Sequence, residues 1–149
     1  MSKKTKVNAA ILIIGNEILS GRTQDTNTVT LALWLNSIGV KVNEVRVIPD
    51  DEKTIIDTLN ILRKENNYVF TTGGIGPTHD DITAQSISRA FKVKYEYHKE
   101  GFKILENYYG KSKFNEGRKK MAKMPRGSKL IYNPSSAAPG FIVKNVLSL

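Results

Sequence analysis

Two adjacent carboxylates, Asp80 and Asp81, stand just behind three closely spaced glycines, Gly73, Gly74 and Gly76. Pro77 stiffens the exit from the glycines, and Thr78 and His79 complete the loop. Glycines accept positive φ and let a ligand approach the backbone, because no Cβ stands in the way. Paired acids beside such a loop are suited to a phosphate and its metal ion. Asp80 or Asp81 can equally cap the helix that follows, since aspartate satisfies an orphan N–H there. The pattern is neither the Gly-Lys-Ser/Thr phosphate loop nor the Gly-x-Gly-x-x-Gly dinucleotide turn. His79 reads as a solvated loop residue rather than a base. Covalent catalysis is disfavoured, because the chain has no cysteine and no serine elbow pairs with a plausible histidine.

The elements that must position these residues are legible in the apolar pattern. Tyr68 to Thr72, rich in β-branched and aromatic residues, predicts a buried strand leading into the glycines. Ile82, Ile87, Ala90 and Phe91 predict the helix leaving them. Upstream, Ala9 to Ile14 is apolar without alternation, as expected of a strand covered on both faces. It ends in the glycine-bounded loop Gly15-Asn16-Glu17-Ile18-Leu19-Ser20-Gly21. Asp25 or Thr26 caps a helix whose stripe includes Leu31, Leu35 and Ile38, and Gly39 sits where a C-cap glycine belongs. Lys41 to Ile48 alternates and predicts a strand nearer an edge. Pro49-Asp50-Asp51 closes it and caps a helix with Ile55, Leu59 and Leu62 on one stripe.

Strand and helix thus alternate three times by Phe91, the signature of an α/β fold with a parallel sheet and right-handed crossovers. In such a sheet ligands bind outside the carboxyl ends of the strands, at the switch in strand order. If the first strand lies between the second and third, three loops converge there, bringing Glu17, Asp50 with Asp51, and Asp80 with Asp81. Magnesium or manganese, held by one or two carboxylates plus substrate oxygens, is the natural cation between these acids and a phosphate. It would neutralise charge during phosphoryl or nucleotidyl transfer.

The remainder of the chain is read more coarsely. Lys99 to Tyr109 and Asn115 to Lys123 predict helices, Met124-Pro125-Arg126-Gly127 breaks the pattern, and Leu130 to Tyr132 and Phe141 to Val143 predict short strands. The net charge of +9 is concentrated between Lys92 and Lys129, where twelve Lys/Arg face four Glu. Such a block attracts an anionic small substrate or nucleic acid, or is simply a solvated helical face. With no aromatic platform beside the charge, the solvated face is favoured and nucleic acid is the weaker reading. At 149 residues the chain fits a single domain. It holds no apolar run near the ~20 residues that span a bilayer. The absence of cysteine suits a reducing cytoplasm, so a cytoplasmic protein without membrane contact is expected.

The loops Gly15 to Gly21 and Thr71 to Asp81, together with Asn133-Pro134 through Ala138-Pro139-Gly140-Phe141, resemble the molybdopterin-binding (MoaB/Mog-like) domain family. The version most like them stands at the N-terminus of competence/damage-inducible (CinA) proteins. The resemblance covers essentially the whole chain with the motifs in order. It implies a three-layer α/β/α domain with a mostly parallel central sheet, homo-oligomeric, working with Mg²⁺ or another divalent metal on a nucleotide or pterin. The implied activities are cleavage of the pyrophosphate of ADP-ribose or adenylylation of molybdopterin, that is, hydrolase or nucleotidyl transferase.

Carried onto this sequence, the resemblance makes Asp50 and Asp81 catalytic or metal partners, with Asp80 beside Asp81 as a metal ligand. Ligand and phosphate contacts fall to Gly15, Asn16, Glu17, Ser20, Gly21, Thr72, Gly73, Gly74, Gly76, Pro77 and Thr78. Asn133, Pro134, Ala138, Pro139 and Gly140 complete the set. Asn16 stands where the family usually has aspartate, and Ser136 where it usually has glycine. After Val146-Leu147-Ser148-Leu149 relatives continue into a Leu-Pro-Gly-x-Pro turn that walls the pocket. The expectation is therefore one molybdopterin/nucleotide-binding domain over residues 1–149 lacking that C-terminal end.

Overall fold

The apolar run Asn-Ala-Ala-Ile-Leu-Ile-Ile forms β1 (Asn8–Ile14), whose residues from Ala9 onward are all buried. A single-turn helix α1 (Asn16–Leu19) and then α2 (Asn27–Ser37) lead to β2 (Lys41–Ile48). Next come α3 (Glu52–Glu65), β3 (Tyr68–Thr72) and α4 (Thr83–Phe91). β4 (Tyr95–Tyr97), α5 (Lys99–Tyr109), α6 (Glu116–Lys120) and β5 (Lys123–Pro125) make a satellite, and β6 (Lys129–Ile131), β7 (Gly140–Val143) and β8 (Val146–Ser148) return to the sheet. This computed structural model describes residues 6–133 and 137–149.

The main sheet has the order β2-β1-β3-β8-β7-β6. β1 pairs in parallel with both β2 and β3, which meets the condition for their loops to converge, and β8 continues the parallel set beside β3. Only β7 runs against its neighbours. The β1–β2 register slips once: Ala9 faces Val42 but Ala10 faces Glu44, so Asn43 is an extra residue bulged into the edge strand.

Helices cover both faces of the sheet, giving the expected three-layer α/β/α architecture. On one face, Ile55, Leu59 and Leu62 of α3 and Ile87, Ala90 and Phe91 of α4 pack on Ala10, Leu12, Ile14, Val69 and Val146. Asp51 starts α3 by accepting from Thr54 N–H at 2.9 Å. On the other face Leu35 of α2 meets Ala9, Ile11, Ile13 and Phe70. α2 is apolar nearly all round and is capped through Asp25, which accepts from the N–H groups of Asn27 and Thr28. Its Val29, Leu33 and Trp34, and Ile38 at its end, are all more than half exposed. Ile38 was expected on the buried stripe, but the chain turns out at Gly39 (φ 84°) and leaves it in solvent.

Two other readings are corrected. The helix expected to reach Lys123 ends at Lys120, because Lys123–Pro125 pairs antiparallel with the unforeseen strand β4 and buries Met124 in the core. Residues 146–148, read only as an ending, form a parallel strand against β3. Leu105, Phe114, Met121 and Ala122 give the satellite a small core of its own. Among the described residues no helix is long and apolar enough to cross a membrane.

Candidate functional site

The carboxyl ends of β2, β1 and β3 lie side by side, so the three loops leaving them meet at one edge of the sheet. Gly15 N–H donates to the carbonyl of Ile48 at 3.0 Å, tying the first loop to the end of β2. Asn16 then clasps Asp50: its N–H donates to Asp50 Oδ2 at 3.2 Å, and its Oδ1 accepts from Asp50 N–H at 3.1 Å. An aspartate at position 16 would set a second negative charge in that clasp, so asparagine here spares Asp50 a repulsion. Partial burial pushes the Asp50 carboxyl above its ordinary range, the Asn16 N–H opposes this, and the charges of Glu17, Asp81 and Asp80 add to it. Asp51 turns instead to the start of α3, where the Thr54 hydroxyl and N–H hold it below the usual carboxylate range, and it is not among the carboxylates whose charge acts on Asp50.

The glycine loop is built around absent side chains. Gly73 (φ 94°) would place a Cβ 2.0 Å from the carbonyl oxygen of Ile14, an impossible contact with backbone. Gly74 (φ 68°) would place one 2.2 Å from Thr83 Oγ1 and 3.6 Å from Asp50 Oδ1. Thr83, fully buried, anchors the turn by donating its hydroxyl to the Gly73 carbonyl at 2.8 Å. Asp81 closes the far end: its Oδ2 accepts from Thr78 N–H at 3.0 Å and from the Thr78 hydroxyl at 2.8 Å. A Cβ on Gly76 would lie 2.7 Å from that same oxygen. Neither Asp80 nor Asp81 caps α4. Asp80 points to solvent and pairs with the exposed His79, whose Nε2 lies 3.2 Å away, as expected of a solvated loop histidine.

The other candidate residues divide by position. Glu17 and Thr72 line a groove of about 230 Å³ between the β1 and β3 ends and the Thr23–Asn27 segment. It adjoins a hollow of about 380 Å³ lined by Leu31, Trp34, Thr72, Gly73 and Leu149. Ser20 and Gly21 (φ 77°) shape a local turn in which Ser20 Oγ donates to the Glu17 carbonyl, so neither is brought to the acids. Pro139 reaches a narrow pocket against the glycine loop, together with Gly74, Gly76 and Asp81. Asn133, Ala138 and Gly140 line a separate hollow beside Leu149. Pro134, like Ser136, lies outside the described residues.

The narrow pocket also contains residues that the pattern did not single out. Tyr95, Lys120 and Lys123 line it from the satellite side. Burial pushes the Tyr95 hydroxyl up to about 12, and Lys123 Nζ sits 5.4 Å from the centre of its ring. α6 is pressed onto the loop: a Cβ on Gly117 would lie 2.9 Å from the Pro77 carbonyl oxygen, and Lys120 Nζ donates to the Thr78 carbonyl. The i, i+3 spacing of Gly117 and Lys120 is the one sequence signal that could have shown a shared face. His98, silent in the sequence, caps α5 by accepting from Gly101 N–H at its Nδ1.

Among the described residues, no three His, Cys, Asp or Glu groups gather closely enough to hold a metal by themselves. Asp50, Asp81 and Glu17 are nonetheless hard oxygen donors at the rim of a backbone cradle. That donor set fits a magnesium-like ion completing its shell with water and phosphate oxygens.

Comparison with known proteins follows the same lines. Residues 10–149 match the family described as a probable molybdopterin binding domain. An Archaeoglobus fulgidus protein is 42% identical over 136 residues, covering 91% of this chain and 58% of its own length. A CinA-like protein of a Sulfurihydrogenibium species is 37% identical over 138 residues, 91% of this chain and 34% of that protein. The chain therefore spans between a third and three fifths of these relatives. The crystal structure of the protein CinA from Thermoplasma acidophilum superposes with a TM-score of 0.90 at 31% identity, covering 97% of this chain and 88% of that one. MoaB from Thermus thermophilus, at 16% identity and a TM-score of 0.58 over 96% of this chain and 80% of that one, shares the fold.

Proposed function

This chain belongs to the molybdopterin-binding domain family, in its CinA-like branch, and from that premise we propose that it cleaves a nucleotide pyrophosphate with the help of a divalent metal. The observation that carries the reading is the convergence of Asp50 and Asp81 on a glycine cradle that admits no side chain at positions 73 and 74 and brings Gly76 against Asp81. A phosphate lying against Gly73, Gly74 and Gly76 would meet backbone at those three positions, with both carboxylates at its rim. Asp50 and Asp81 would hold the magnesium-like ion, and Asp80, exposed beside them, would add charge from the solvent side.

When bound, the metal supplies charge neutralisation on the phosphate oxygens. The chain's own part is positional and protonic. The Asn16 clasp fixes the Asp50 carboxyl at the rim of the cradle, where its second oxygen can accept a proton from an attacking water. That water's oxygen bonds to one phosphorus, the bridging P–O bond breaks, and the bridging oxygen leaves with the other phosphate. For ADP-ribose the products are AMP and ribose 5-phosphate. Thr78 keeps Asp81 turned inward throughout. The protein acts as a cytoplasmic homo-oligomer in this reading.

A second reading, adenylylation of molybdopterin, is favoured by the family match itself. The two differ in what must be present together: the first needs only the dinucleotide, the second a pterin and ATP. The test is AMP release from ADP-ribose with Mg²⁺, comparing the wild-type chain with Asp81→Asn. Release that falls at least about a hundredfold in a folded Asp81→Asn variant supports the pyrophosphatase reading. Absence of release from the wild type, with pterin and ATP binding jointly, replaces it by the second.

A further inference from the structure

Resting on the reading of the glycine loop as a phosphate site, we infer that Lys120, assisted by Lys123, forms its cationic half and selects ligands carrying two adjacent phosphates over those carrying one.

Lys120 belongs to the block of twelve basic residues whose sequence favours a solvated face. Its neighbours Lys111 and Lys113 are indeed exposed, whereas Lys120 and Lys123 are half-buried and line the same pocket as Gly74, Gly76 and Asp81. The placement is built by backbone: Gly117 lets α6 approach the Pro77 carbonyl, and only a residue without Cβ permits that distance. One turn later Lys120 Nζ reaches the Thr78 carbonyl across 42 positions of sequence. A lysine ammonium has three N–H donors, and this contact uses one.

The charges point the same way. Lys119 is matched by Glu116, and Arg126 and Lys94 by Glu96, yet among the described residues neither Lys120 nor Lys123 lies in an ion pair. Lys123 lies over the rings of Tyr95 and Tyr97, at 5.4 and 5.0 Å, which leaves its N–H groups, like those of Lys120 beyond the Thr78 contact, free of any carboxylate among the described residues and open to an anion. The carboxylates Asp50 and Asp81 lie toward the strand ends, while the lysines approach from the satellite. A phosphate held with a metal on the carboxylate side leaves a neighbouring phosphate in reach of the lysines. A diphosphate engages both halves and a monophosphate only one.

Isothermal titration with inorganic pyrophosphate and with inorganic phosphate, each with Mg²⁺, tests this on wild type, Lys120→Gln, Lys120→Arg and the exposed control Lys111→Gln. Glutamine keeps a donor for the Thr78 carbonyl but removes the charge, so a role confined to bracing the loop predicts wild-type binding. The expected result is a loss of about tenfold or more in pyrophosphate affinity for Lys120→Gln. Little change is expected for phosphate, with Lys120→Arg and Lys111→Gln near wild type and unfolding curves superimposable. Unchanged pyrophosphate binding in a folded Lys120→Gln variant overturns the inference, as does a wild type that does not prefer pyrophosphate. Kinetics separate this from the underlying reading. AMP release that depends on Asp81 with an unaltered KM in Lys120→Gln removes the lysine role and leaves the hydrolase. Lys120-dependent pyrophosphate binding without any AMP release does the reverse.

Discussion

The two sides of the glycine loop are built by different means. On the carboxylate side, the groups sit in loops that leave the carboxyl ends of β1, β2 and β3 and are tied to the main chain at short range: Gly15 to Ile48, Asn16 to Asp50, Thr83 to Gly73. On the lysine side, the groups come from a satellite of two helices and a two-stranded ribbon with its own core around Leu105, Phe114, Met121 and Ala122. That satellite meets the loop through Gly117 against Pro77 and Lys120 against Thr78. Regions with fewer buried apolar contacts open at lower free energy, so the lysine side is expected to open before the sheet does.

Gly73→Ala strikes the carboxylate side hardest, because its Cβ would stand 2.0 Å from the Ile14 carbonyl oxygen at a positive φ. Urea unfolding should show a loss of about 4 kcal/mol or more, enough to threaten a marginally stable domain. Leu105→Ala, which hollows out the satellite, should cost about 3 kcal/mol locally. Hydrogen exchange would resolve it: faster exchange across α5 and α6 with β1 and β3 still protected sharpens the contrast. Uniform loss of protection would dissolve it, making the satellite and the sheet one cooperative unit.

The smallest effect concerns Asp50. Its folded-state pKa is raised above the ordinary 3.8, so the ionised carboxylate is less favourable in the folded chain than in the unfolded one. At neutral pH Asp50→Asn should therefore be slightly more stable than wild type. The gap narrows as pH falls through the raised pKa and vanishes below the unfolded value. Paired denaturation curves from neutral to acid pH read this directly, and a gap that widens toward acid would reverse the sign assigned to Asp50.

The same contrast decided what could be read from sequence. Strand, glycines and acids between Tyr68 and Asp81 are legible because each choice is local: β-branched residues, then residues free at positive φ, then oxygen donors. The order β2-β1-β3, taken from the sequence only as a condition for the loops to meet, is the order of the sheet. Spacing alone left Asp50 and Asp51 together; the resemblance picked out Asp50, and the contacts turn Asp51 to the α3 cap. The lysine side stayed hidden because its evidence is long-range. Nothing near Lys120 tells that its ammonium reaches Thr78, and a helical reading of Lys123 ignores a strand whose partner, Tyr95–Tyr97, is only three residues long. Asn16 looked like the loss of a ligand until its contacts with Asp50, 34 positions away, gave it a task.

The bulge at Asn43 also guards the open edge of the sheet. An exposed edge strand offers its free N–H and C=O groups to any passing β-segment, a route to runaway sheet growth. In β2 the extra residue breaks the regular spacing, while Lys41, Glu44 and Arg46 set charge along the rim, with Glu44 and Arg46 paired to each other. Strand-by-strand addition is thereby discouraged. The exposed apolar ridge of α2, formed by Val29, Leu33 and Trp34 with Ile38 at its end, lies on a helix and offers no free strand edge.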